Sequence, residues 1–148
     1  MGGENFHRMI GTKTLDMTLI RNLNLFEKIT RIRTDSCFIF NNTMFFAVPK
    51  EMVFRAIGKN GENAKMLSEI LGKKVKIVGL AEGGQDISRF IKDIIAPVQP
   101  KNIEVTEKEI IITAGRLNHA ALVGRDKQKL HELEKVVGEH FGKSLRVV

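Results

Sequence analysis

The chain repeats itself, and that repetition limits the possible fold more than any other feature of its 148 residues. Gly72-Lys73-Lys74-Val75-Lys76-Ile77-Val78 is mirrored by Gly142-Lys143-Ser144-Leu145-Arg146-Val147-Val148, and Ala56-Ile57-Gly58-Lys59 by Leu122-Val123-Gly124-Arg125. The order is kept and the spacing nearly so, with about one helical turn more between the two segments in the second copy. A duplicated unit of this length implies two small modules of one plan rather than a single larger domain.

Hydrophobic periodicity supplies the plan. Leu19, Ile20, Leu23, Phe26 and Ile29 recur at helical spacing and predict an amphipathic helix over 17–31, after a flexible segment 1–16. The apolar runs Cys37 to Phe40 and Met44 to Val48 flank Asn41-Asn42-Thr43, a hairpin connection, and Pro49 ends the second strand. A short helix from Lys50 to Ile57 leads to a glycine turn. A second helix, Gly61 to Leu71, has Ala64, Leu67, Ile70 and Leu71 on its apolar face, and Val75 to Val78 forms the closing strand. Gly79-Leu80-Ala81-Glu82-Gly83-Gly84-Gln85 breaks every periodicity, so 17–79 is expected to be one module and 80–85 a linker.

The pattern then restarts. Asp86 reads as the N-cap of a helix carrying Ile87, Phe90, Ile91, Ile94 and Ile95, which stops ahead of Pro97. Ile103-Glu104-Val105 and Ile110-Ile111-Ile112 predict a second hairpin. A short helix over 116–123, the turn Gly124-Arg125-Asp126-Lys127, a long helix burying Leu130, Leu133, Val136, Val137 and Phe141, and a strand Leu145 to Val148 complete a second module, 86–148. Each module is helix, hairpin, helix, turn, helix, strand, an α+β plan with a small sheet covered by helices.

The turn between the later helices carries the chemistry. In Ala56-Ile57-Gly58-Lys59-Asn60-Gly61-Glu62-Asn63 the two glycines lack a Cβ, so a sugar-phosphate chain can approach the backbone, and the N–H groups opening the next helix point at the anion. Lys59 adds a cation; Asn60 tolerates the left-handed conformation and offers a side-chain hydrogen bond. A Gly-x-x-Gly met in isolation is equally a helix C-cap followed by another helix. The duplication of the whole unit around it favours the binding reading. A formal charge of +7 and a pI near 9.7 favour polyanions, although a membrane face or an acidic protein would also suit a basic surface.

Other classes find no support. No run approaches 18 apolar residues and the start lacks the apolar core of a signal peptide, so a cytoplasmic protein is expected, with no membrane partner. Cys37, the single cysteine, lies in an apolar strand-like run and reads as core. Gly138-Glu139-His140-Phe141-Gly142-Lys143-Ser144 imitates a Walker loop, but it is one residue short and follows a helix. His131-Glu132-Leu133-Glu134-Lys135 starts like a zincin helix yet lacks the second histidine, and with His119 and His140 it makes no metal set. Asn41-Asn42-Thr43 matches a glycosylation triplet but is better explained as a turn. With no nucleophile, acid/base pair or metal site, neither catalysis, a cofactor nor a small-molecule substrate is expected.

The order of elements, with a glycine turn between the two later helices, resembles the prokaryotic, type II form of the KH domain. Two in tandem resemble the paired KH domains of the transcription factor NusA, particularly the short archaeal NusA-like proteins. The resemblance spans about residues 17 to 148. It is sharpest at 56–63, at the helix exit Leu71-Gly72-Lys73-Lys74 and at Phe90-Ile91-Lys92-Asp93-Ile94-Ile95-Ala96-Pro97. Nothing matches the polymerase-binding amino-terminal domain or the S1 domain of bacterial NusA. The resemblance implies binding of single-stranded RNA and a role in transcript elongation, termination or antitermination, with RNA polymerase as a further partner.

On that reading Gly58, Lys59, Asn60 and Gly61 clamp the RNA backbone, and Lys50, Arg55 and Lys65 flank it. Ile57 and Ala64, with part of the hairpin, floor an apolar groove for bases. The absence of Trp and Tyr speaks against a stacking platform, and the nine Phe residues fall mostly in apolar runs that read as core. The second turn, with Gly124, Arg125, Lys127 and Lys129 as its site residues, departs from the pattern. Lys127 stands where the closing glycine belongs and Asp126 repels phosphate. Either the three cations compensate, or the module orients the first. The alternative for the whole chain is a protein-interaction adaptor on RNA polymerase or a ribosomal particle that binds RNA incidentally.

Overall fold

The computed structural model describes residues 16–148; the flexible segment expected at 1–16 lies almost wholly outside them. Helix α1 (Met17–Thr30) starts where the Asp16 carboxylate accepts the Thr18 N–H at 2.9 Å, satisfying one of the unpaired amides of the first turn. It ends at Arg31, whose left-handed backbone (φ 64°) returns its N–H to the Glu27 carbonyl at 2.8 Å. Strands β1 (Ser36–Phe40) and β2 (Thr43–Val48) pair antiparallel with Phe40 opposite Thr43, so the connection has two residues, not the three expected. Asn41 and Asn42 both take positive φ, 53° and 56°, which matches the right-handed twist of a two-residue hairpin.

Strand β3 (Lys74–Gly79) lies parallel to β2, with Thr43 opposite Lys74 and Val48 opposite Gly79. A parallel neighbour requires a crossover. A 3-10 turn (Lys50–Met52), α2 (Val53–Ile57), a second 3-10 turn (Lys59–Gly61) and α3 (Glu62–Leu71) supply it. The glycine turn is thus the midpoint of the crossover. The sheet, order β1-β2-β3, is mixed, and β2 is buried along its whole length. On one face Phe26 of α1 stacks on Phe46 with centroids 4.4 Å apart, and Leu23, Val48, Ala56, Leu67, Val75 and Ile77 complete the core. Each fully buried Phe there contributes about 1.5–3 kcal/mol of transfer free energy. On the other face Phe38 and Phe45 stack at 5.3 Å. Cys37 is buried in β1, as expected.

The expected apolar face of α3 needs one correction. Leu67 is buried and Ala64 and Leu71 pack against the core, but Ile70 is 58% exposed. At 100° per residue Ala64 and Leu71 lie about 60° and 40° to one side of Leu67, while Ile70 lies about 60° to the other and turns outward.

The second copy has the same plan: α4 (Ile87–Ile95), β4 (Asn102–Val105), β5 (Glu109–Thr113), α5 (Arg116–Val123), a 3-10 turn (Arg125–Lys127), α6 (Gln128–Phe141) and β6 (Ser144–Val147). Here β4 and β5 are antiparallel, β5 and β6 parallel, and the order is β4-β5-β6. Phe90 packs edge-on against Phe141 at 5.5 Å, with Ile110, Ile112, Leu133, Val136 and Val137 buried. Asp86 holds the N-cap position of α4, but its side chain makes no capping hydrogen bond. A 3-10 turn (Gly84–Asp86) puts Asp86 in helical conformation, and its carboxylate accepts the Glu82 N–H at 2.9 Å and the Arg89 Nε at 2.8 Å. Arg89 also reaches Asp93 at 2.7 Å. The Asp86 hydrogen bond, reinforced by Asp93 and opposed by partial burial, pushes the guanidinium further above its usual range.

By internal contacts the chain divides between Leu80 and Ala81, and the Leu80 N–H still bonds to the Val48 carbonyl at 2.7 Å. Among the described residues no helix is long and apolar enough to cross a membrane.

Candidate functional site

Helix α2 stops at Gly58 because the backbone there has φ 84° and ψ 167°, a region essentially reserved for glycine. Space demands glycine as well: an added Cβ would stand 2.9 Å from Asn63 Cγ and 3.1 Å from the Asn63 backbone nitrogen. Asn63 occupies that position because its Nδ2 donates to the Ala56 carbonyl at 3.2 Å, satisfying one of the open carbonyls of α2. Asn60 follows at φ 56°, ψ 25°, and Gly61 at φ 73°, ψ 18°, its N–H returning to the Gly58 carbonyl at 3.0 Å.

Gly61 differs from Gly58 in kind. An added Cβ there would meet no described atom within 4 Å. The conformation asks for glycine but the protein's own packing does not. The space beside Gly61 is open and adjoins the start of α3, where the helix dipole gives a positive potential; the Gly61 and Glu62 N–H groups themselves bond to the Gly58 and Lys59 carbonyls.

Lys59 and Asn60 are exposed in the turn, Arg55 is exposed in the last turn of α2, and Lys65 is exposed in the first turn of α3. Glu62 is the carboxylate among them. Ile57 and Ala64 are half-buried, packed on the core beside the turn. Lys50 is exposed in the 3-10 turn that opens the helical segment leading to Gly58, and its stem crosses Gly79, where a Cβ would stand 2.8 Å from Lys50 Cγ.

In the second copy Gly124 has φ 75° and ψ 176°, Asp126 φ 54° and ψ 28°, and Lys127 φ 60° and ψ 23°. The backbone path is that of the first turn, angle for angle, although a lysine closes it. A Cβ on Gly124 would stand 2.8 Å from Lys129 Cγ, so the half-buried Lys129 stem fills the place that Asn63 fills in the first copy. Arg125, Asp126 and Lys127 are exposed, and Lys127 carries a side chain at the position where the first copy has Gly61.

The sequence missed Phe54. Among the described Phe residues it alone is exposed, at 87%. A five-residue helix between Pro49 and Gly58 is too short for periodicity to separate its faces.

The motifs read as decoys have structural occupations. Gly142 is a left-handed C-cap of α6, and the Lys143 Nζ donates to the Thr106 and Glu107 carbonyls at 2.6 and 2.8 Å, tying the helix exit to the hairpin loop. His131 pairs with Glu134, and His140 lies against Phe90. Among the described residues no group of three or more His, Cys, Asp and Glu is placed to hold a metal.

No family model matches the chain. The crystal structure of APE1850, 24% identical, superposes with a TM-score of 0.62 over 90% of this chain and 99% of that one, a likeness of fold. A probable transcription termination protein NusA of Halococcus morrhuae is 24% identical over 131 residues, 86% of this chain and 92% of the relative. Its counterpart in Methanococcus vannielii is 26% identical over 134 residues, 87% of this chain and 76% of the relative. The probable NusA of Methanocaldococcus jannaschii is 31% identical over 125 residues, 82% of this chain and 67% of the relative. The shared architecture and these identities over most of the sequence lead to one conclusion: the chain belongs to the NusA-like transcription termination proteins, in their archaeal form.

Proposed function

We propose that the protein is a cytoplasmic single-stranded RNA-binding factor without catalytic activity, acting in transcript elongation, termination or antitermination. It consists of a type II KH domain over 17–79, a linker over 80–85 and a second KH domain over 86–148. The parallel pairing of β2 with β3, and of β5 with β6, together with a glycine turn at the middle of each crossover, supports the KH reading.

The observation that carries the RNA reading is the open face of Gly61. The helix-ending Gly72 and Gly142 are as open, but Gly61 stands at the start of a helix, inside a turn flanked by exposed cations, and there the open face leaves room for an anion. The exposed cations around it, Arg55, Lys59 and Lys65, outnumber Glu62 and fit a phosphate. The backbone of the RNA lies across Gly58, Lys59, Asn60 and Gly61, and its bases turn toward the apolar strip of Ile57 and Ala64. In the second domain Arg125, Lys127 and Lys129 offer charge without an open backbone, so that domain contributes weakly. Lys50, exposed at the start of the segment that leads into the first turn, is a further flanking charge.

The test is equilibrium binding to single-stranded RNA, duplex RNA and duplex DNA of equal length. Single-stranded RNA binds tightest, and with about four to eight phosphates engaged the slope of log K against log salt is about −3 to −6, at roughly −0.7 per phosphate. Equal affinity for all three polymers contradicts the groove. It favours the adaptor reading, for which the outward Met66 and Ile70 of α3, 47% and 58% exposed, are the supporting observation.

A further inference from the structure

We infer that Phe54 is a stacking platform for an unpaired base of the RNA held by the first glycine turn. The inference rests on the RNA-binding reading and adds a residue to it. The Phe54 carbonyl accepts the Gly58 N–H at 3.1 Å, so the ring stands one helical turn before the clamp. Phe54 and Ile57 are three residues apart on α2, hence neighbours about 60° apart around the helix, with Cβ atoms about 5–6 Å from one another. The ring therefore borders the strip of Ile57 and Ala64, where the bases of a strand clamped at Gly58 to Gly61 would lie.

Charge selects the occupant. An apolar protein segment would also cover an exposed ring, but the surroundings are polar and cationic: Arg55, Lys59 and Lys65 are exposed nearby, against Glu51 and Glu62. A nucleotide presents an aromatic face and an anion together and matches both features. The two copies agree with this pairing of features. Counted back from Gly124, the place of Phe54 is taken by Ala120, exposed but with only a methyl group, in the copy whose turn is closed by Lys127. The aromatic ring and the open glycine occur together in the first copy.

The experiment uses the full chain and a single-stranded RNA carrying 2-aminopurine, read by anisotropy and by fluorescence quenching. Phe54→Ala weakens binding about tenfold, the scale of one lost base–aromatic stack, and abolishes the quenching. Phe54→Leu, apolar but not flat, behaves like Phe54→Ala, and Phe54→Tyr stays within about twofold of wild type. The salt slope is unchanged in all three, because no phosphate contact is lost. Circular dichroism shows the fold intact, the side chain being outside the core. If Gly61→Asp weakens binding while Phe54→Ala stays within about twofold and keeps the quenching, stacking is overturned and the clamp stands. If the wild type binds no RNA, both fall. If Phe54→Ala spares RNA binding but abolishes binding to purified RNA polymerase, the ring serves a protein and the inference is overturned.

Discussion

The two glycine turns follow one backbone path with different residues, and the difference separates what the fold needs from what it does not. Gly58 and Gly124 sit in a glycine-only conformation, and each is overlaid by a side chain, Asn63 in one copy and Lys129 in the other. Both are requirements of the crossover. At the closing position the fold accepts Gly61 in one copy and Lys127 in the other, at φ 73° and 60°. A lysine in the left-handed region costs about 1–2 kcal/mol, which the second domain bears. Glycine at 61 therefore brings a modest gain in stability and an open face, and only the open face concerns a ligand.

The largest effect expected from this comparison is on stability. Gly58→Ala forces a Cβ into contact with Asn63 in a conformation that alanine resists, so urea denaturation should show a loss of about 2–4 kcal/mol. Gly61→Ala, with open space and a left-handed precedent at Lys127, should cost about 1 kcal/mol. Equal losses would erase the distinction between the two glycines. Next in size is Gly61→Asp, which places a carboxylate where phosphate approaches. Affinity for single-stranded RNA should fall tenfold or more, about 1.4 kcal/mol, with the circular dichroism spectrum retained.

Most of the element order was legible because the duplication and the periods of 3.6 and 2 agree along the chain, and the turn residues announce the punctuation. The failures were local. Ile70 has helical spacing to Leu67, but α3 buries a stripe only wide enough for Ala64, Leu67 and Leu71, and a count of apolar residues does not give the width. Asp86 has the chemistry of an N-cap, yet Arg89 one turn later and the Glu82 N–H compete for the same carboxylate and win. At the site, Gly58 to Gly61 form the turn, Arg55 and Ile57 lie at the end of the helix before it, and Ala64 and Lys65 at the start of the helix after it, the order that a Gly-x-x-Gly between helices dictates; Lys50 lies in the 3-10 turn that opens the segment. Phe54 was hidden by its type, since phenylalanine defaults to core. The obstruction expected from a Cβ at the closing position is sharpened by the structure: such a Cβ at Gly61 meets no other part of the chain within 4 Å.

A smaller effect is a gain of function. Asp126→Asn with Lys127→Gly rebuilds the sequence pattern of the first turn on a backbone that already has its angles, removing one repulsive charge and one side chain at the loss of one cation. Because both domains are tethered, even a weak second site adds through effective concentration. A long single-stranded RNA should bind about threefold to tenfold tighter, and a four-nucleotide RNA about the same as before. Relief of the strain at residue 127 should also raise stability by up to about 1 kcal/mol, less the flexibility that glycine adds to the unfolded chain. A variant that is more stable but no tighter on long RNA would mean the second groove is blocked elsewhere.

The central claim is that the first turn clamps RNA and the second, on the same backbone path, binds it only weakly. It is tested most directly by following backbone amide resonances while a four-nucleotide single-stranded RNA is added to the full chain. The account predicts large, saturable shifts at Lys59, Asn60, Gly61 and Glu62, with those of Arg125, Asp126 and Lys127 small and unsaturated at the same concentrations. Equal shifts at the two turns, or larger shifts at the second, would contradict it.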